Sequence, residues 1–192
     1  YLFNRRRVRT ISGAVEAALT RYGRVNAMRR LGNSGAQFIV ERAETPFRQI
    51  ELVFLLEARE NPFLWLTERI RGRRDELVLR ANLRTAPTQE INLAESQNRE
   101  SRARILGEQE KPYEWIAAPP GLEMARRGAK DDAMVERLER FLENPGMTVQ
   151  RVSIQSKEPH LMVRVRLFAD GILSAEALLD ARRNVVQRSA TG

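Results

Sequence analysis

Chemistry that needs an imidazole has one candidate in this chain, His160, and chemistry that needs a thiolate has none, because cysteine is absent. With no second histidine, neither a zinc site nor a histidine-based triad can be assembled from these residues, and there is no disulfide framework. His160 follows Pro159 between two strand-like segments, so a solvated place in a hairpin turn is expected of it. Asp131-Asp132 could hold magnesium, but adjacent carboxylates ahead of an amphipathic run are better suited to capping a helix and meeting its dipole. Gly32-Asn33-Ser34-Gly35 and Gly128-Ala129-Lys130 are the small-residue stretches able to approach a phosphate, and neither has Walker or dinucleotide spacing. Glu57 with Glu60, and Glu108 with Glu110, offer carboxylates for acid and base work, yet nothing aims them at a common cleft. No catalytic, cofactor-binding or metal-ligating residue is assigned, and a non-enzymatic role without a cofactor is expected.

Cationic chemistry has more material. The net charge is +8, and Arg5, Arg6, Arg7 and Arg9 stand within the opening run Tyr1-Leu2-Phe3-Asn4-Arg5-Arg6-Arg7-Val8-Arg9 with no acid among them. An apolar aromatic end followed by arginines reads like the cytoplasmic exit of a membrane helix, since guanidinium heads stay with anionic headgroups and resist translocation. The expectation is a domain on the cytoplasmic face of a membrane. It would be anchored by an N-terminal helix upstream of Tyr1, contact anionic lipid through Arg5, Arg6, Arg7 and Arg9, and work through protein contacts or as a scaffold. The same run also fits a basic start to a soluble cytoplasmic helix or a nucleic-acid-binding arm. Neither the protein partner nor the oligomeric state is legible.

A second arginine set supports the alternative, a nucleic-acid-binding module. Arg80 and Arg84 on one strand, and Arg164 and Arg166 on another, point away from the predicted apolar face and would form a cationic platform if the strands shared a sheet. Such platforms carry stacking aromatics, whereas the interleaved neighbours here are Asn82 and Met162, with Phe168 at an end; ion pairing across strands is the plainer account. The remaining arginines alternate with glutamates along most segments, as on a solvated surface.

The elements that must position these residues follow from periodicity. Ile11, Val15, Ala18, Leu19 and Tyr22 predict a first helix, with Ser12 capping its start and Gly23 ending it. Segments 24–31 and 36–42 form a hairpin about the turn Gly32 to Gly35. The nearly all-apolar run Ile50 to Leu56 predicts a strand covered on both faces, the candidate for the sheet centre. Asn61-Pro62 opens a short second helix ending near Gly72. Leu77, Leu79, Ala81 and Leu83 alternate as a half-buried strand, for which Ile91 and Leu93 suggest a partner.

Residues 94–112 read as a polar linker, 113–116 as an edge strand stopped by Pro119-Pro120-Gly121, and 122–130 as ambiguous. Met134, Val135, Leu138, Phe141 and Leu142 form the clearest apolar stripe of the chain, ahead of strands 148–155 and 161–168 and a final helix capped by Ser174. The fold class expected is α+β, a mostly antiparallel or mixed sheet packed against amphipathic helices. The organisation expected is a basic segment 1–10, a first α+β lobe 11–93, the linker 94–112 and a second lobe 113–192, continuous with the first or separate.

Helix, glycine, strand, turn and strand occur twice without a gap. Glu16, Leu19, Gly23 and Phe38-Ile39-Val40 match Glu139, Leu142, Gly146 and Leu161-Met162-Val163, as two duplicated α-β-β lobes would. No stretch reaches the ~18 to 20 apolar residues needed to cross a bilayer as a helix.

Overall fold

Val8, Ile11, Val15, Ala18 and Leu19 recur at spacings of three and four and are no more than 3% exposed, the signature of a helix laying one stripe against a core. They belong to α1, Leu2–Leu19, which tightens into a 3-10 turn at Thr20–Tyr22 before Gly23. The computed structural model describes residues 2–57, 75–96, 113–143 and 148–167, with side chains from residue 5 onward. The helix thus starts well ahead of Ser12, which is not its cap: Ser12 is buried in mid-helix and its hydroxyl has no hydrogen-bond partner. Val8 carries the apolar stripe a full turn earlier, through the arginines that surround it.

The strands follow in chain order: β1 Val25–Arg30, β2 Gly35–Glu41, β3 Phe47–Leu55, β4 Glu76–Leu83, β5 Gln89–Glu95, β6 Glu114–Ile116, β7 Leu122–Gly128, β8 Thr148–Ile154 and β9 Leu161–Arg166. Helix α2, Asp132–Leu142, lies between β7 and β8 and is N-capped by Asp131, whose carboxylate accepts from the Met134 N–H at 3.0 Å. The previously ambiguous 122–130 is therefore mostly strand. It ends at Gly128, φ 96°, where a Cβ would lie 2.6 Å from the Thr88 carbonyl oxygen, so only glycine fits without moving backbone.

All nine strands join one sheet in the order β1-β2-β3-β4-β9-β8-β5-β7-β6, with every described pairing antiparallel. The fold is α+β, as expected. Register aligns Phe38, Leu52, Leu79, Val163, Val152, Leu93 and Met124 in one row, and all seven are buried with the apolar stripes of α1 and α2 in a single core. The adjacent row carries Ile39, Glu51, Arg80, Met162, Ser153, Asn92, Ala125 and Trp115 on the opposite, outer face. Period-2 alternation thus keeps the apolar row on the core face, while the outer row mixes polar side chains with Ile39, Met162, Ala125 and Trp115.

Three strand-level expectations need correction. β3 is third in the order and the middle place belongs to β9. Its burial alternates, with Leu55 44% exposed, because Val53 and Leu55 are apolar residues on the outer face and not the second side of a doubly covered strand. β5 does not partner β4; it pairs with β7 and β8, while β4 pairs with β3 and β9. Strands from 11–93 and 113–192 are consequently interleaved in one sheet. The helix expected near 61–72, most of the linker and the Ser174 helix lie outside the described residues.

Candidate functional site

Arg5, Arg6, Arg7 and Arg9 all lie on α1, and helical geometry distributes them around it. The buried stripe passes through Val8 and Ile11, which sets Arg5 and Arg7 on opposite flanks and turns Arg6 and Arg9 outward. Arg7 is half-buried and pairs with Asp75, its Nη1 2.6 Å from Oδ2, where the two side chains are 14% and 4% exposed. The other Asp75 oxygen accepts from the Glu57 N–H at 2.7 Å, and the Asp75 carbonyl accepts from the Leu167 N–H at 2.8 Å. One carboxylate group thereby ties α1 to the end of β3, while its own backbone joins the start of β4 to the end of β9. Arg5, Arg6 and Arg9 remain exposed.

On the Arg5 flank the β1–β2 hairpin comes alongside. Register pairs Arg30 with core-facing Ala36 and Arg29 with outward Gln37, so Arg30 alone of this doublet is on the α1 side. Arg5, Val8, Arg30, Gly32 and Asn33 surround a cavity of about 210 Å³. Arg30 was not singled out from the sequence. The signal was available, since the hairpin turn at Gly32 to Gly35 fixes the parity of everything preceding it.

The second arginine set is on the outer face, each member beside an acceptor. Arg80 is 3.7 Å from Glu51, Arg164 is 3.8 Å from Glu76, and the Arg166 Nη2 is 3.0 Å from Glu95 Oε1. Arg84, just past β4, donates from Nη2 to the Ala43 carbonyl at 3.2 Å. Arg80 also lines an open groove of about 500 Å³ with Gln49, Glu51, Asn82, Arg151 and Met162. Trp115 is exposed on this face, but five strand spacings, about 24 Å, separate it from Arg80. Among the described residues, Trp115 therefore offers Arg80 no stacking partner.

A polar network crosses the far half of the outer face. Ser153 Oγ donates to Asn92 Oδ1 at 2.8 Å, Asn92 Nδ2 donates to the Tyr113 hydroxyl at 2.9 Å, and that hydroxyl donates to Glu90 Oε2 at 3.4 Å. Glu90 also accepts from Arg127 Nε at 2.9 Å and from the hydroxyl and N–H of Ser156, while the Arg127 guanidinium lies 4.6 Å over the Tyr113 ring. Burial pushes the Glu90 carboxyl up, but the bonds from Ser156 and Arg127, with the Arg127 charge, outweigh it and hold the group below its ordinary value. A carboxylate whose oxygens already accept five donors, the Arg127 Nη2 included, is a structural hub and has little capacity left as a base.

The remaining candidates are likewise occupied. His160 is buried, not solvated: it is 7% exposed, and its Nδ1 accepts from the Leu83 N–H at 3.1 Å. Asp132 receives Arg126 Nη1 at 2.9 Å. Glu57 is buried beside Asp75, and Glu60, Glu108 and Glu110 lie outside the described residues. Among the described residues no group of three or more His, Cys, Asp or Glu side chains could hold a metal ion, and no helix is long and apolar enough to cross a membrane. No protein-family model matches this chain, and no curated protein matches it.

Proposed function

We propose that this chain is a non-enzymatic domain that docks on the anionic, cytoplasmic surface of a membrane through α1 and works there through protein contacts or as a scaffold. The N-terminal anchor expected from the opening residues is part of the same proposal. The observation that carries it is the division of labour on α1. Arg7 is committed inward to Asp75, while Arg5, Arg6 and Arg9 stay exposed on a helix whose buried stripe holds it to the sheet. Each exposed arginine near an anionic surface contributes on the order of 1 kcal/mol.

Co-sedimentation with vesicles tests the reading. The chain should bind phosphatidylserine-containing vesicles and not pure phosphatidylcholine, and replacing Arg5, Arg6 and Arg9 by Gln should weaken binding by roughly two orders of magnitude. Equal binding to both vesicle types, or indifference to the triple change, would overturn it. The nucleic-acid reading finds less support, because Glu51, Glu76 and Glu95 offset the outer-face arginines.

We also propose that the two α-β-β units are duplicates. Supporting this, Phe38 and Val40 and their counterparts Leu161 and Val163 all face the core, each on a hairpin strand that follows a helix.

A further inference from the structure

We propose that the cavity between α1 and the β1–β2 hairpin is a binding site for a phosphate monoester, with Arg5 and Arg30 as its two cationic arms. This deepens the membrane reading, which supplies one source of such a group, a lipid headgroup; a small soluble phosphate is the other.

The cavity is a half-open recess with one arginine from each of two elements in its lining, and among the described residues that lining, Arg5, Val8, Arg30, Gly32 and Asn33, includes no carboxylate. Several other arginines of this protein stand beside a carboxylate. Arg7 meets Asp75, Arg126 meets Glu114 and Asp132, Arg127 meets Glu90, and Arg166 meets Glu95. Two like charges sharing a cavity repel unless an anion lies between them, and a phosphate dianion accepts from both planar forks at once.

The walls favour the same ligand. Val8, 3% exposed, adds apolar surface to the lining. Gly32, at φ 64° with open space where a Cβ would be, keeps the hairpin backbone narrow at the rim. A volume of about 210 Å³ is small for a drug-sized ligand and suits a single headgroup phosphate. Arg6 points away on the helix, and Arg9, one turn beyond Arg5 on the same flank, is not part of the cavity lining; both supply diffuse attraction, so selectivity for the monoester belongs to Arg5 and Arg30.

The test uses the 192-residue chain in two arms. In the first, glycerol 3-phosphate is titrated while the amide resonances of Gly32 and Asn33 are followed by NMR. Saturable shifts are expected, with the Kd at least tenfold weaker in Arg30→Gln and in Arg5→Gln. In the second, vesicles matched for surface charge carry phosphatidic acid, a monoester, or phosphatidylserine, a diester. Wild type should prefer phosphatidic acid several-fold, and Arg30→Gln should lose that preference while still binding both. Arg30 is exposed, so its replacement leaves the core intact.

Saturable shifts without vesicle binding would keep the site, assign it a soluble phosphate and sink the membrane reading. Vesicle binding without lipid preference and without shifts would sink the site and leave the membrane reading standing. A wild-type preference unchanged in both variants would also overturn the assignment to Arg5 and Arg30.

Discussion

Breaking the Arg7–Asp75 pair should unsettle the protein more than any surface arginine change, and the structure sets the scale. Removing one partner of a buried ion pair costs about 3 to 5 kcal/mol, because the other charge stays behind in a poorly solvated place. Asp75→Ala belongs at the upper end, since it also withdraws the acceptor of the buried Glu57 N–H, a loss worth about 1 to 3 kcal/mol by itself. Arg7→Ala leaves that acceptor in place and belongs near the lower end, about 3 kcal/mol. The double variant should cost little more than Asp75→Ala alone, giving a coupling energy of about 2 to 3 kcal/mol. Urea unfolding of the four proteins at pH 7 reads these values, provided the denaturant slope is unchanged across the set. Because the pair is largely out of solvent, raising the salt to 1 M should alter the coupling little. Costs that simply add, or a change below about 1 kcal/mol for Asp75→Ala, would refute the view that this carboxylate joins α1 to the sheet.

Two further outcomes follow from other buried polar groups. Gln89 is fully buried on the core face of β5, and neither polar atom of its amide has a hydrogen-bond partner; Gln89→Leu should stabilise the fold by about 1 to 2 kcal/mol and raise Tm by a few degrees, and a lower Tm would show that the amide is satisfied. Glu90 has a native pKa held below the unfolded value, so its stabilising contribution is complete above the unfolded value and is lost as pH falls through the native one. Chemical denaturation followed from pH 6 down to pH 3 should therefore show a smaller loss of stability in Glu90→Gln than in wild type, and identical pH profiles would count against the network as described.

Where an element depends on local chemistry, the sequence reading located it. The β1–β2 hairpin, the alternation of β4 and β9, and α2 with its Asp131 cap came from turn residues, period-2 patterning and an apolar stripe. Failures came where a local run was divided or where a residue's partner is far away in the chain. Ser12 looked like a cap because the basic run before it was read as a separate tag, when Val8 already belonged to the stripe. His160 looked solvated beside Pro159, but its acceptor nitrogen meets an N–H 77 residues earlier. In the order β4-β9-β8-β5 the β4–β9 and β8–β5 pairings join strands across long sequence separations, which periodicity does not encode.

The basic site was legible in the same uneven way. A run of arginines without acids announces itself in any sequence, whereas the fact that Arg7 differs from its neighbours rests on Asp75, 68 residues on. Arg30 is the opposite case. Its side of the sheet follows from counting back from the hairpin turn, and only its approach to α1 required the tertiary structure.

The location of Asp75 bears on how a docked surface would act on the rest of the fold. β4 and β9 form one of the pairings through which the N-terminal and C-terminal portions of the chain meet in the sheet, and the Asp75 carbonyl holds the Leu167 N–H at the end of that seam. Val8 and Ile11 bury one side of α1 in the core while Arg7 binds that seam, so tilting the helix would break apolar contacts and a buried ion pair together. On the membrane reading, a surface held by Arg5, Arg6 and Arg9 therefore meets a rigid strut and not a hinge. The outer face, with its groove beside Arg80 and Glu51, would then be presented to a protein partner at one fixed orientation to the bilayer. Loosening the strut by Asp75→Asn should leave vesicle affinity nearly unchanged while broadening the distribution of distances from the bilayer to a probe at Trp115, which fluorescence quenching by lipid-borne acceptors can measure.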